Sequence, residues 1–453
     1  MSASARRVLP PPSYVRRSGR AHQAPPPPSY MWYQGLERKW ERVNERRRED
    51  RQNVHSLTLA TYNVLSDQQV RLNSQLYRHL PEHILSWRYR SQLIVQEVAF
   101  FNSDVLCLQE VDERHYHHYF APMLNGYGYT GWYEKRTGDK PDGCAIFWKY
   151  DVFQRALAKS VRFRVPGCDV LDRDNVGIIV ILKIKRSGLP HDFPIAICVA
   201  TTHLLFNEKR GDIKLAQLVL LFTEISRACE QFRLQNPRHH VFLLFCGDLN
   251  ICPFSPLYSF ITTGTIRYQG MNRTTLSGQQ RSQELQGAIA SHYQLRYPLL
   301  PDWMNIDHNC CYRPHHSTHH STHQQKARHS TSEEDAARVL DLRHGFGFSS
   351  AYAHVTPTRQ LEMTTFLLNG TKNTVDYIFY TSSPLNTDRH HRPHPKMELT
   401  DRRSLISGDC LRMIGALPNS LMPSDHQALQ ARFKLSIPRR HDRTAVRSRS
   451  VYS

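Results

Sequence analysis

The chain VFLLFCGDLN (241–250) is an apolar run that breaks off in an acid, a spacer and an amide. A run of Val, Phe and Leu bounded by Gly reads as a buried strand. Alternation puts residues i and i+2 of a strand on one side. Asp248 and Asn250 are therefore expected to point together at the strand's carboxyl edge. That edge is where open α/β sheets bind ligands. A carboxylate able to take a proton from water, next to an amide able to hold a phosphate oxygen, suits phosphoryl transfer. Taken alone, an Asp after a strand serves equally as a turn former or a helix N-cap.

The same pattern recurs along the chain, and turn chemistry does not account for the recurrence. SLTLATYNVLS (56–66) is a β-rich run carrying Asn63, and SDVLCLQEVDE (103–113) ends its apolar stretch at Gln109 and Glu110. AICVATTHLLFN (196–207) delivers His203, and NTVDYIFYTS (373–382) carries Asp376 in its first half. MPSDHQALQARFKL (422–435) puts Asp425 and His426 directly before a final alternating strand. A helix is expected over 213–226, with Asp212 placed to cap its N-terminus.

In order and spacing, Asn63 in TYNVL, Glu110 in CLQE, His203 in THLL, Asp248 and Asn250 in GDLN, Asp376 in VDYIFY, and Asp425 with His426 in SDH resemble the endonuclease/exonuclease/phosphatase superfamily. KPDGCAIFWK (140–149), LDRDNVG (171–177), FNEKRGDIKLAQL (206–218) and SPLYSFI (255–261) resemble its Angel branch, a relative of nocturnin and the deadenylases. The resemblance runs from about 54 to 435 with an insertion inside it. It implies a four-layer α/β sandwich, two packed β-sheets flanked by helices, with the site at one end. It also implies Mg²⁺, for which Mn²⁺ can substitute, held by Glu110 with Asn63 close by and Asp425 acting through water. Asp248 is then the general base and Asn250 holds a phosphate oxygen or the nucleophile in line. His203 and His426 donate to the phosphoryl group, and Asp376 orients His426 and favours its protonated form. Lys140, Asp142 and Asn175 are implied to lie near the substrate. Arg210 either contacts phosphate or forms a salt bridge. The chain departs from the family pattern at Leu249, where Phe is common, and at Gln427 and Ala428, where a Leu-Pro pair is usual.

The chain has 453 residues and a formal net charge of +19, which suits a polyanionic partner such as RNA 3′ ends. Much of the excess sits in the ends, so the catalytic domain is expected over 54–437, between basic tails at 1–53 and 438–453. The first tail holds two PPxY sequences, beginning at Pro11 and Pro27 and ending at Tyr14 and Tyr30. They are candidate ligands for WW-domain proteins. The same prolines spoil an amphipathic presequence, so cytosol or nucleus is expected in preference to mitochondria. Between about 270 and 345 the apolar rhythm lapses, and HHSTHHSTHQQKARHSTSEED (315–335) is low in complexity. This stretch is expected to be a disordered insertion without fixed metal geometry. None of the ten cysteines forms a CxxC pair, so buried reduced thiols are expected. No run of about 18 apolar residues occurs, and neither a membrane span nor an oligomer is expected.

Three functions follow. The resemblance implies a phosphatase that removes 2′,3′-cyclic phosphate from RNA 3′ ends. Its wider kinship implies a 3′–5′ poly(A) exoribonuclease. The tails alone would suit a noncatalytic RNA-binding scaffold. A full set of catalytic residue types argues against the scaffold, and the lack of a leucine-rich repeat region ahead of the catalytic part tilts the choice towards the phosphatase.

Overall fold

In the computed structural model, the described residues are 28, 31, 36–44, 54–185, 194–279, 293–296, 298–313, 341–356, 359–367, 372–385 and 394–437. Two mixed β-sheets form the frame. The first contains β1 (Trp40–Arg42), β2 (Val54–Asn63), β3 (Val105–Asp112), β4 (Tyr129–Lys135) and β5 (Asp142–Lys149). The second contains β6 (Phe153–Arg162), β7 (Val176–Ile184), β8 (Ile195–His203), β9 (His240–Asp248), β10 (Phe348–Ser350) and β11 (Asp376–Thr381). The chain then returns to the first sheet with β12 (Lys396–Arg403) and β13 (Leu429–Ser436). The strand orders are β1-β12-β13-β2-β3-β5-β4 and β10-β11-β9-β8-β7-β6. Only β2 with β3, and β8 with β9, pair in parallel among these strands.

Strand alternation divides the apolar residues between faces. Leu57, Leu59, Val105, Cys107, Ile178, Val180, Phe242, Leu244 and Cys246 meet between the sheets. Val241, Leu243 and Phe245 of the same β9 turn outward against Leu215, Leu218 and Phe222 of the long helix α2 (Gly211–Gln235). On the other side, Ala60, Tyr62, Leu106 and Leu108 pack on Ile94 and Val98 of α1 (Trp87–Phe101). The result is four layers, helix, sheet, sheet, helix. Strands covered on both faces read as continuous hydrophobic runs, which is why 241–246 shows no polar alternation. Truncating a ring such as Phe222, fully buried between helix and sheet, costs about 3–5 kcal/mol.

Three expectations change. The helix expected over 213–226 runs from Gly211 to Gln235, and Asp212 makes no cap hydrogen bond. Its carboxylate receives Arg210 instead. The insertion is partly built into the fold, because Leu276, Leu295, Leu299 and Cys310 plug the outer face of the second sheet. They do so from irregular positions with no helix or strand period, so the pattern did not reveal them. The His-rich tract at 315–335, the PPxY copy at 11–14 and the basic C-terminal tail lie outside the described residues. In the second PPxY copy Pro28 is buried, and its carbonyl accepts from the Met31 N–H. All ten cysteines are free, and most of them are buried. Among the described residues no helix is long and apolar enough to cross a membrane.

Candidate active site

The two sheets bring their polar strand ends to one end of the sandwich. In the second sheet, His203 pairs with Asp248 in register across parallel strands, and Asp376 pairs with Asp248 across antiparallel ones. These three residues stand abreast. The row requires β8 and β9 to close tightly at Gly247, whose φ is +136° and where a Cβ would sit 2.1 Å from the Thr202 carbonyl oxygen. Only glycine fits there.

The first sheet supplies Asn63 and Glu110. Gln109 pairs with Asn63, so strict alternation would turn the next residue, Glu110, away from it. A bulge between Leu108 and Val111 prevents this, with Glu110 in the left-handed region at φ 55°. Bulges re-aim side chains, and a non-glycine residue held there marks a site that the surroundings over-determine. Glu110 Oε1 accepts from Asn63 Nδ2 at 3.0 Å, and its Oε2 accepts from the Ser66 N–H at 3.0 Å.

Asn63 joins the two sheets. Its Nδ2 also donates to Asp248 Oδ2 at 3.1 Å and lies 3.5 Å from His426 Nε2. Its Oδ1 accepts from the Leu65 N–H at 3.0 Å, which fixes the orientation of the amide. Asn63 therefore meets Glu110, Asp248 and His426 through its nitrogen, and its oxygen keeps one lone pair beyond the Leu65 N–H. A backbone N–H can be satisfied only by the oxygen end of the amide.

Asp248 is buried and collects donors. Its Oδ2 lies 3.4 Å from His203 Nε2 and 3.7 Å from His426 Nε2, while its Oδ1 accepts from the Asn250 N–H at 3.1 Å. Asn250 lies beyond the strand in left-handed backbone at φ 50°, so alternation does not align it with Asp248. A tight turn does, and its Nδ2 donates to the Leu204 carbonyl at 3.1 Å. Asn adopts this conformation more readily than most residues.

His426 lies 2.8 Å, through Nδ1, from Asp376 Oδ2. Burial alone pushes its imidazole down, but the carboxylates of Asp376, Asp248 and Asp425 outweigh that and hold its pKa well above the ordinary value. Asp425 accepts at 3.0 Å from the hydroxyl of Tyr77. His203 Nδ1 is buried without a hydrogen bond among the described residues, 3.9 Å from Glu110 Oε1.

The remaining candidates stand further out. Asp142 is buried, receives Gln69 Nε2 at 3.1 Å and faces Arg136, and burial raises its pKa. Its Oδ2 has no hydrogen-bond partner among the described residues. Lys140 is exposed. Asn175 supports His203 from behind, since its Nδ2 donates to the His203 carbonyl at 3.0 Å and its Oδ1 accepts from Gln217. Arg210 binds Asp212 in bidentate fashion, with bonds at 3.0 and 2.9 Å, the salt-bridge alternative.

Several residues that hold the site gave no sequence signal. Ser424 donates to the Asn63 carbonyl at 2.6 Å and accepts from the His426 N–H, pinning the SDH turn to β2. Arg90, fully buried, donates to the carbonyls of Val64, Leu65 and Pro423. The departure at Gln427 has a purpose here: its side chain bonds the backbone of Met363 and Ile406, and its N–H bonds the Thr364 carbonyl. Leu249 is fully buried in the core beneath the site.

The chain matches the endonuclease/exonuclease/phosphatase family model over residues 60–426. It is 37% identical over 399 residues to protein angel homolog 2 of Homo sapiens, covering 86% of this chain and 71% of that protein. The chain belongs to the Angel branch of this family. Protein angel homolog 1 of Homo sapiens is 33% identical over 433 residues, covering 84% and 63%. The crystal structure of ANGEL2, a 2′,3′-cyclic phosphatase, in complex with adenosine-2′,3′-vanadate superposes with a TM-score of 0.71 at 37% identity, covering 88% of this chain and 99% of that one. As an Angel-branch member, the chain has the two-sheet sandwich that the sequence led us to expect.

Enzymes of this family depend on a metal, and the donor set fits a hard divalent cation in part. Glu110 brings a carboxylate, and Asp425 a second one on the facing loop. Asp248, Asp376 and His426 offer ligand atoms within 4.8 Å of one another. The Asp376–His426 hydrogen bond commits a ring nitrogen and a carboxylate oxygen of that trio to each other, which makes it a poor cation cage.

Proposed function

We propose that this chain is a Mg²⁺-dependent phosphatase that hydrolyses 2′,3′-cyclic phosphate at RNA 3′ ends. The observation that carries this reading is the buried Asp248, ringed by two histidines and an amide at the mouth of an Angel-type sandwich. The chemistry is two successive hydrolyses. Water first attacks phosphorus and one ester P–O bond breaks, which opens the ring to a monoester. A second water then releases inorganic phosphate and leaves a 2′,3′-diol.

Asp248 takes the proton of the attacking water, and Asn250, locked in its turn, aligns that water. His203 and protonated His426 donate to the phosphoryl oxygens as negative charge builds on them. Asp376 keeps His426 oriented and charged. Glu110 would hold the cation, with Asn63 close by and Asp425 acting through water. Asn63 braces Glu110 through its amide nitrogen. A bound Mg²⁺ supplies positive charge that offsets the phosphoryl oxygens and the departing alkoxide, and Mn²⁺ can replace it. Lys140 and Asp142 line the approach for the nucleotide, while Asn175 acts on it through His203. The first PPxY copy and the basic tails would add WW-domain and weak RNA contacts, in the cytosol or nucleus.

The test is to incubate purified protein with one labelled RNA ending in 2′,3′-cyclic phosphate and one ending in oligo(A), each with Mg²⁺, with EDTA and as Asp248→Ala. Conversion of the first RNA to a diol at unchanged length, lost with EDTA and in the variant, is the expected result. Stepwise shortening of oligo(A) would make the chain a deadenylase instead, and silence on both RNAs would make it a binding protein.

A further inference from the structure

Lys214 lies in the first turn of α2, within the KRGDIKLAQL stretch, and is completely buried. An ammonium group is costly to bury, and a methionine could fill the same volume without that cost. What distinguishes the lysine is its two partners. Its Nζ donates to the Asn250 backbone carbonyl at 2.6 Å and to the Gln279 side-chain oxygen at 2.6 Å. Burial draws its pKa down to about 7, against the opposing negative charge of Asp248 and Glu208. Both protonation states keep at least two N–H donors, so neither bond depends on the charge.

The partners give the position its meaning. Asn250 holds a left-handed backbone at φ 50°, and that turn aims its N–H at Asp248 Oδ1 and its amide at Leu204. Lys214 grips the carbonyl on the far side of the same residue. Gln279 follows Ser277, which is tied to the site at two further points. The Ser277 carbonyl accepts from the Cys252 N–H at 2.7 Å, and the Ser277 hydroxyl donates to the Glu208 carbonyl at 2.9 Å. One ammonium group thus ties the turn after β9 to Gln279, and Ser277 beside it ties the same segment to the loop after β8.

We propose that Lys214 is a positioning residue of the active site, bracing the Asn250 turn against the Gln279 loop so that Asn250 and Asp248 keep their working alignment. This rests on the hydrolase reading above. A merely structural lysine would affect melting alone. A positioning lysine affects turnover, because displacing an aligned group by about 1 Å costs on the order of 100-fold in rate.

The experiment compares wild type with Lys214→Met, Lys214→Arg and Gln279→Leu, on RNA bearing a 2′,3′-cyclic end and on bis(p-nitrophenyl) phosphate, with thermal melting of each protein. The expected result for Lys214→Met is a kcat lower by about 10- to 100-fold with KM within about two-fold. Lys214→Arg, which still donates, recovers most of the rate. A Lys214→Met kcat within about two-fold of wild type overturns the proposal, as does an Arg variant no better than Met in a folded protein. If Lys214→Met does not fold, Gln279→Leu decides the matter, because its site is only half-buried in a loop. A reduced kcat there supports the brace and an unchanged one overturns it. A wild type that cleaves only the generic diester overturns the RNA-end reading and leaves the Lys214 comparison readable on that diester.

Discussion

His426 Nδ1 lies 2.8 Å from Asp376 Oδ2, although the two residues are 50 positions apart in the chain. Asp376 opens β11 abreast of Asp248, and His426 follows the turn that Ser424 pins to β2. The pair therefore spans the two sheets. Its effect is to keep a buried imidazole protonated where an isolated one would be neutral.

The alkaline side of the activity profile should report this pair. In the proposed mechanism protonated His426 is the active form, so activity should fall as pH rises through a pKa well above the ordinary histidine value. Asp376→Asn removes the largest of the causes that raise it. The alkaline limb should then move to lower pH, read from kcat across a pH series. A limb that does not move would show that His426 charge does not govern turnover.

Metal removal should abolish hydrolysis without unfolding the protein. With EDTA, activity should vanish and return on adding Mg²⁺, while the far-ultraviolet circular dichroism stays unchanged. Glu110→Gln should raise the Mg²⁺ concentration needed for half-maximal activity by about tenfold or more, the loss expected when a carboxylate ligand becomes neutral. An unchanged Mg²⁺ requirement would remove Glu110 from the cation site.

Acid stability should depend on two buried histidines outside the proposed catalytic set. Burial pulls both His344 and His354 down to about 4 from 6.5. The unfolded chain therefore takes up protons that the folded one refuses, and stability falls as pH drops from about 6.5 to about 4. Each contributes at most roughly 3.5 kcal/mol at about 1.4 kcal/mol per unit. Urea denaturation at pH 7 and pH 4.5 measures the loss, and His344→Phe should make it smaller. An equal loss in that variant would place the acid sensitivity elsewhere.

Gly247→Ala tests the closure of β8 on β9. The added Cβ meets the Thr202 oxygen at 2.1 Å in a backbone conformation that L-residues rarely adopt. We expect a lower melting temperature, for a cost of roughly 2 kcal/mol or more, together with lost turnover. Wild-type melting and kcat would show that the strands can part without disturbing Asp248.

The sequence alone showed the strands that end in polar residues and, through its family resemblance, the two-sheet sandwich and a set of candidate site residues. Burial on both faces leaves an unbroken apolar run, and such a run ending in Asp248, His203 or Glu110 is visible in one dimension. It also carried the family motifs. It did not determine how those residues are aimed. Alternation predicted that Asn250 would follow Asp248 and said nothing useful about Glu110. Left-handed turns and a bulge set both, and these depend on contacts from distant segments. Asn63 turns its nitrogen to Glu110, Asp248 and His426 because the Leu65 N–H holds its oxygen, and Tyr77, Arg90, Ser424 and Lys214 matter only through partners that lie far away in the chain. Leu276, Leu295, Leu299 and Cys310 show the same limit, since each fills a gap in the core from an aperiodic position. Periodicity records which face is buried. Tertiary structure alone decides which hydrogen-bond partner a polar group finds, because that choice is made between segments with no local relation to each other.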